Sequence, residues 1–131
     1  MLYVKHSSRS SQLTLDGAKI NKIYSDLYNT NITTTSVNTA VAKELAGGYK
    51  QIGKCVYVNV RFKLVNKYQH AVIMYNLPAP VIYNVCLSAY NETASRPSAG
   101  QVKFNSNLEW HDSSQSNTND TCIICGCYIC K

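Results

Sequence analysis

The sequence predicts an all-β fold: an antiparallel, jelly-roll-like β-sandwich head with a short N-terminal helical neck. Three observations carry this. Asn, Ser, Val and Tyr dominate, with ten tyrosines, and Glu is scarce, a composition that suits pleated, half-buried strands. The stretch YKQIGKCVYVNVRFKLVNK alternates strictly, with Val56, Val58, Val60, Phe62 and Leu64 on one face and Tyr57, Asn59, Arg61 and Lys63 on the other. Several further short alternating runs are separated by clusters of turn residues, the pattern of an antiparallel sandwich or barrel. At 131 residues the chain suits one domain of ordinary size and buries roughly two-thirds of its unfolded surface.

The elements follow in order. Residues 1–10, MLYVKHSSRS, form a flexible lead-in and are too polar for the apolar region of a secretory signal. In LTLDGAKINKIYSDLYN, Ile20, Ile23 and Leu27 share one helical face, and Asp16 is placed to cap the start. So short a helix is marginal alone, and packs either on its own domain or against copies of itself. The Thr-rich stretch NTNITTTSVNTAVAKEL reads as extended chain, and Gly47-Gly48 as a turn. Residues 1–46 are thus a lead-in and neck, and 47–131 the head. Within the head, AVIMYN is a short apolar run and Leu77-Pro78-Ala79-Pro80 a strand break. VIYNVCLSAYN places Val81, Tyr83, Val85, Leu87 and Ala89 on one side. Residues 95–100 read as a loop, and GQVKFNSNLEW as one strand with Val102, Phe104, Ser106 and Leu108 in phase. HDSSQSNTND, residues 111–120, is a polar connector, and TCIICGCYICK the last strand.

That last strand holds four of the six cysteines, as C-x2-C-x-C-x2-C. Cys125 and Cys127 fall on one side with Ile123 and Ile129; Cys122 and Cys130 fall on the other. A zinc knuckle wants small or polar residues between its ligands, whereas Ile123-Ile124 and Tyr128-Ile129 fill these gaps. The adopted reading is reduced, largely buried strand cysteines, with Cys125 and Cys127 shielded. A metal site formed by Cys122, Cys125, Cys127 and Cys130 is the first alternative, and disulfides are the second. Cys125 and Cys127, two apart on a strand, lie about 6.5–7 Å from each other, too far for an easy bridge.

The charge of +6 is scattered, without a basic run, which argues against a nucleic-acid partner. No stretch approaches the roughly 20 apolar residues of a membrane span. Sequons occur at Asn31, Asn91 and Asn119 and are chance matches if the chain is not secreted. No catalytic constellation is legible. His6, His70 and His111 lack a nucleophile context, and Asp26, Glu44, Glu92, Glu109, Asp112 and Asp120 do not pair as a glycosidase dyad would. No cofactor and no enzymatic activity are expected. Trp110, His111 and Asp112, at the head of the polar connector, are the candidate receptor-binding residues, an aromatic plate beside hydrogen-bonding groups.

The run from Gly48 to Val60, the break Leu77-Pro78-Ala79-Pro80 and the closing Gly126-Cys127-Tyr128-Ile129-Cys130-Lys131 together resemble the C-terminal heads of bacteriophage tail-fibre and receptor-binding proteins. The resemblance covers residues 47–131. It implies a β-sandwich that assembles as a homotrimer at the tip of a virion tail fibre. Such a head is made in the host cytoplasm and binds a host-surface saccharide or protein without catalysis. The alternatives are a zinc-binding regulatory or nucleic-acid module built on the C-terminal cysteines, and a structural virion protein that binds no receptor.

Overall fold

The computed structural model describes residues 17–29, 31–34 and 36–131. The lead-in, His6 and the cap expected at Asp16 lie outside them. The chain divides into two compact units, the first ending at residue 30 and the second running from Asn31 to Lys131. In the first, helix α1 spans Gly17–Tyr28. Ile23 and Leu27 of its apolar stripe are exposed, and so are Tyr24 and Tyr28, whose rings sit one turn apart at 4.6 Å. No described helix is long and apolar enough to cross a membrane.

The second unit is all-β. Its strands are β1 (Ala42–Ile52), β2 (Cys55–Leu64), β3 (Tyr68–Met74), β4 (Asn84–Asn91), β5 (Arg96–Lys103), β6 (Leu108–Ser116) and β7 (Thr121–Ile129). They form one sheet in the order β1-β2-β7-β4-β5-β6-β3, every neighbour antiparallel. The sheet curls into a sandwich-like half-barrel. The curl is visible in one contact: the Trp110 and Phe62 rings meet edge to face at 5.9 Å, although β6 and β2 are not neighbours in the sheet. The predicted face of β2 is the inner one, with Val56, Val58, Val60, Phe62 and Leu64 all buried. Val102, Leu108, Ile73, Met74, Leu87, Ile124 and Tyr128 complete the interior from the other strands.

The segment ahead of β1 ties the two sheet edges together. Thr33 exchanges main-chain hydrogen bonds with Tyr49 of β1 (2.8 and 2.9 Å). A few residues on, the Asn38 amide donates to the Ile73 carbonyl of β3 at 2.8 Å, and the Tyr75 amide to Ser36 at 2.9 Å. Edges that would otherwise invite foreign strands are thereby occupied. The neck–head boundary expected at residues 46/47 falls inside β1.

Gly47-Gly48 is not the expected turn. Both glycines lie in β1, just after a register shift between Lys43 and Ala46. Gly47 has φ +92°, and a Cβ there would run into the Asn59 carbonyl oxygen of β2, backbone that cannot swing away. Glycine is required by conformation and by close approach together. Gly47→Ala should therefore destabilise the body by more than about 1 kcal/mol, read from urea midpoints; a neutral result would mean the bulge is not as described.

Four other expectations change. Residues 96–100 belong to β5, not a loop. GQVKFNSNLEW is a hairpin, β5 and β6 joined through a turn in which the Ser106 amide donates to Lys103 at 2.8 Å and Ser106 takes a positive φ. The polar connector begins only after Ser116. Finally, Val81 and Tyr83 are exposed in the bend before β4, while Leu87 keeps the inward phase.

Candidate functional site

Two surface features compete for a functional role. The first is the groove where β5 and β6 part. Their ladder ends at the Ala99–His111 pair, just short of Pro97, whose nitrogen has no hydrogen to donate. The gap, about 320 Å³, is lined by Pro97, Ser98, Ala99, His111, Asp112 and Ser113. Two of the three sequence-predicted residues border it, but neither presents its polar group freely. His111 Nε2 lies 2.9 Å from Glu109 Oε1, and its ring faces that of His70 at 4.6 Å.

The Asp112 side chain is wholly inaccessible. It accepts hydrogen bonds from Arg96 Nε (3.0 Å) and Nη2 (2.8 Å), from the Ser113 amide (2.8 Å) and from the Ser116 hydroxyl. Behind it, Asn91 Nδ2 donates to Ser116 Oγ (3.2 Å) and to Asp120 Oδ2 (2.9 Å), and the Asn117 amide also donates to Asp120 Oδ2. Burial works to raise the Asp112 pKa. The Arg96 and Ser116 hydrogen bonds, the Ser113 amide and the charge of Arg96 outweigh it and hold the carboxyl well below the usual carboxylate range. Asp112 is thus the centre of a satisfied network that clasps β4, β5 and β6 together, with little left to offer a ligand.

Trp110 departs furthest from expectation. It is not on a loop but in β6, with no exposure at all. It cannot act as a surface plate.

The second feature is such a plate, and sequence reasoning missed it. Tyr83 and Phe104 stack at 4.6 Å with their planes 15° apart, and are 69% and 54% exposed. The β4–β5 register explains why they meet. Asn84 pairs with Lys103, so Tyr83 and Phe104 are the next pair outward, after the strands have ended. Through the register both share the phase of buried Val102, and the sequence accordingly set Tyr83 in line with Leu87 and Phe104 in line with Val102 and Leu108. Alternation tells which side a residue takes, but not where the core stops. Tyr83 stands at the end of the bend 81–83 and Phe104 at the hairpin tip. Exposed Val81, Ile82 and Asn105 flank them in sequence. Beside the platform, Asn84 Oδ1 is buried without a hydrogen-bond partner.

The cysteines divide between the faces of β7, and Cys125 and Cys127 are not shielded as expected. Cys122 and Cys130 are buried; Cys125 and Cys127 are exposed, as is Cys86 on β4. The phase comes from β2: Val56 pairs with Tyr128, Val60 with Ile124 and Phe62 with Cys122, so those β7 residues share its inner face. Burial, and then the Asp120 and Asp112 charges, push the Cys122 thiol up to about 12. Cysteines pointing to opposite faces of one strand cannot converge on a single zinc ion, and among the described residues no three His, Cys, Asp or Glu side chains gather as metal ligands would.

No protein-family model matches this chain, and no curated protein matches it in sequence.

Proposed function

We infer that the chain is a non-enzymatic receptor-binding head of a virion tail fibre, working as a homotrimer and attaching to a host-surface saccharide. The observation that carries this reading is the Tyr83–Phe104 platform. Two stacked rings exposed at the end of a rigid sheet lose little conformational freedom on binding and offer an apolar face to the C–H side of a sugar ring. Exposed Asn105 and the Lys103 side chain stand next to them in sequence for the hydroxyl groups. The platform replaces Trp110, His111 and Asp112 as the expected contact.

The trimer rests on α1. Its 12 residues are too few for a stable lone helix, and three copies of the Ile20–Ile23–Leu27 stripe can cover one another. Single weak contacts then add through effective concentration when three platforms meet one cell surface.

The test is glycan-array binding of the full chain beside a Tyr83→Ala/Phe104→Ala double variant, with light scattering on both. The wild type should be a trimer that binds a restricted set of glycans. The double variant should remain a trimer with an unchanged melting temperature and bind at least about tenfold more weakly, a loss of roughly 1.4 kcal/mol. A wild-type monomer, or equal binding by the two proteins, would overturn the reading.

A further inference from the structure

The outward cysteines are brought together by strand register. The β4–β7 ladder runs from Asn91–Cys122 to Ser88–Cys125. The strands stay abreast for at least one residue more. A Cβ built on Gly126 would lie 3.1 Å from Leu87 Cδ2 and 3.8 Å from Leu87 Cα, so Leu87 and Gly126 face each other in the same register. The next pair in sequence is Cys86 opposite Cys127. Successive strand residues point to opposite faces, and Cys86 and Cys127 are both exposed, free thiols on the outer face. Beyond them β7 takes a different partner: the Val81 amide donates to the Ile129 carbonyl at 3.0 Å, and the Lys131 amide to Ala79 at 2.9 Å. Continuing this register sets Cys86 and Cys127 at opposing positions of one face, at a seam where one ladder has ended and another begins.

We propose that Cys86 and Cys127 form a reversible cross-strand disulfide that staples β4 to β7 at this seam. The oxidant is a low-molecular-weight disulfide such as oxidised glutathione. One protein thiolate attacks it, forming a mixed disulfide and expelling one glutathione thiolate. The second protein thiolate then attacks the protein sulfur of the mixed disulfide and expels the second glutathione. The two protein thiols give up two protons and two electrons; the glutathione disulfide takes both electrons and, with the two protons, leaves as two glutathione molecules. Facing residues of antiparallel strands lie about 4.5–5.5 Å apart at Cα, inside the range of a disulfide. Cys125 is a poorer partner for Cys127, since residues two apart on one strand are separated by about 6.5–7 Å. Cys122 and Cys130 are on the wrong face. The staple closes the long loop from β4 to β7 and so stabilises the fold chiefly by restricting the unfolded chain. A chain reduced where it is made and oxidised where it acts gains the staple only in the second place.

The full native chain is incubated with oxidised glutathione, digested without reduction and mapped by mass spectrometry, and its melting temperature is taken before and after. The expected product is a peptide linking Cys86 to Cys127, lighter by two hydrogens, with a raised melting temperature that dithiothreitol reverses. Cys125→Ser should leave the link intact. Cys86→Ser and Cys127→Ser should each stop at a glutathione adduct on the remaining thiol, with no rise in melting temperature. Lasting glutathione adducts on both Cys86 and Cys127 of the wild type, a link through Cys125, or a link between chains would overturn the proposal.

Discussion

Trp110→Ala should lower the stability of the β unit by about 3–5 kcal/mol, the usual cost of emptying a core site of its largest ring. Trp110 is completely buried, and its edge-to-face contact with Phe62 joins β6 to β2 across the interior of the curled sheet. Removing it opens a cavity and also withdraws the aromatic contact that spans the two halves. Trp110→Phe should cost much less. It keeps an aromatic ring opposite Phe62, and it removes an indole N–H that is buried without a hydrogen-bond partner, a group that is unfavourable in its present place. Urea denaturation of the three proteins measures both differences. A loss below about 1 kcal/mol for Trp110→Ala would show that the ring is not part of the core. The same experiment separates packing from recognition: if Trp110→Ala weakens glycan binding only in proportion to the unfolded fraction, its effect belongs to stability.

Why Trp110 looked like a surface residue is instructive. It precedes HDSSQSNTND, which has no apolar residue to continue the alternation. Yet β6 does alternate from Leu108 through Trp110 to Asp112, all buried, and after an exposed Ser114 the inward phase returns at buried Ser116. The inward positions are polar because the Arg96–Asp112–Ser116–Asn91 network satisfies them, and a pattern counted in hydrophobic residues cannot register a buried carboxylate with a partner on another strand. β2 was legible because five successive inward positions are large and apolar. β5 was not, because its inward Gly100 faces Ile124 and its N-terminal half carries a proline where the ladder to β6 has already stopped. β7 was ambiguous for a different reason: both of its faces carry isoleucine, so only its pairing with β2 decides which cysteines are inside. The Tyr83–Phe104 platform was invisible because parity is retained past the end of the core. The fold class was thus written in local alternation, while the site depended on where strands end and which edges meet.

The second large effect is expected at Asp112. Replacing it with Ala should cost about 3 kcal/mol, the lower end of what breaking a buried ion pair costs. The lower end applies because Arg96 is partly exposed, at 28% for its side chain against 0% for Asp112, so water takes up the abandoned guanidinium more easily than it could a carboxylate. What remains expensive is the interior side of the network: the buried Ser116 hydroxyl loses its acceptor, and the part-buried Ser113 amide loses the same one. The same geometry sets a pH dependence. The folded-state pKa of Asp112 is depressed, burial being outweighed by the Arg96 and Ser116 hydrogen bonds, so the unfolded chain binds this proton more readily than the native one does. Stability from this group is therefore complete well above the ordinary aspartate range, near pH 4, and is lost as the pH falls below it. Wild-type protein should lose stability between about pH 5 and pH 2 more steeply than Asp112→Ala does, since the variant has already forfeited this contribution. Chemical denaturation at several pH values reads the two slopes. Parallel curves for wild type and variant would mean that Asp112 carries no depressed pKa and that the clasp across β4, β5 and β6 is held by something other than its charge.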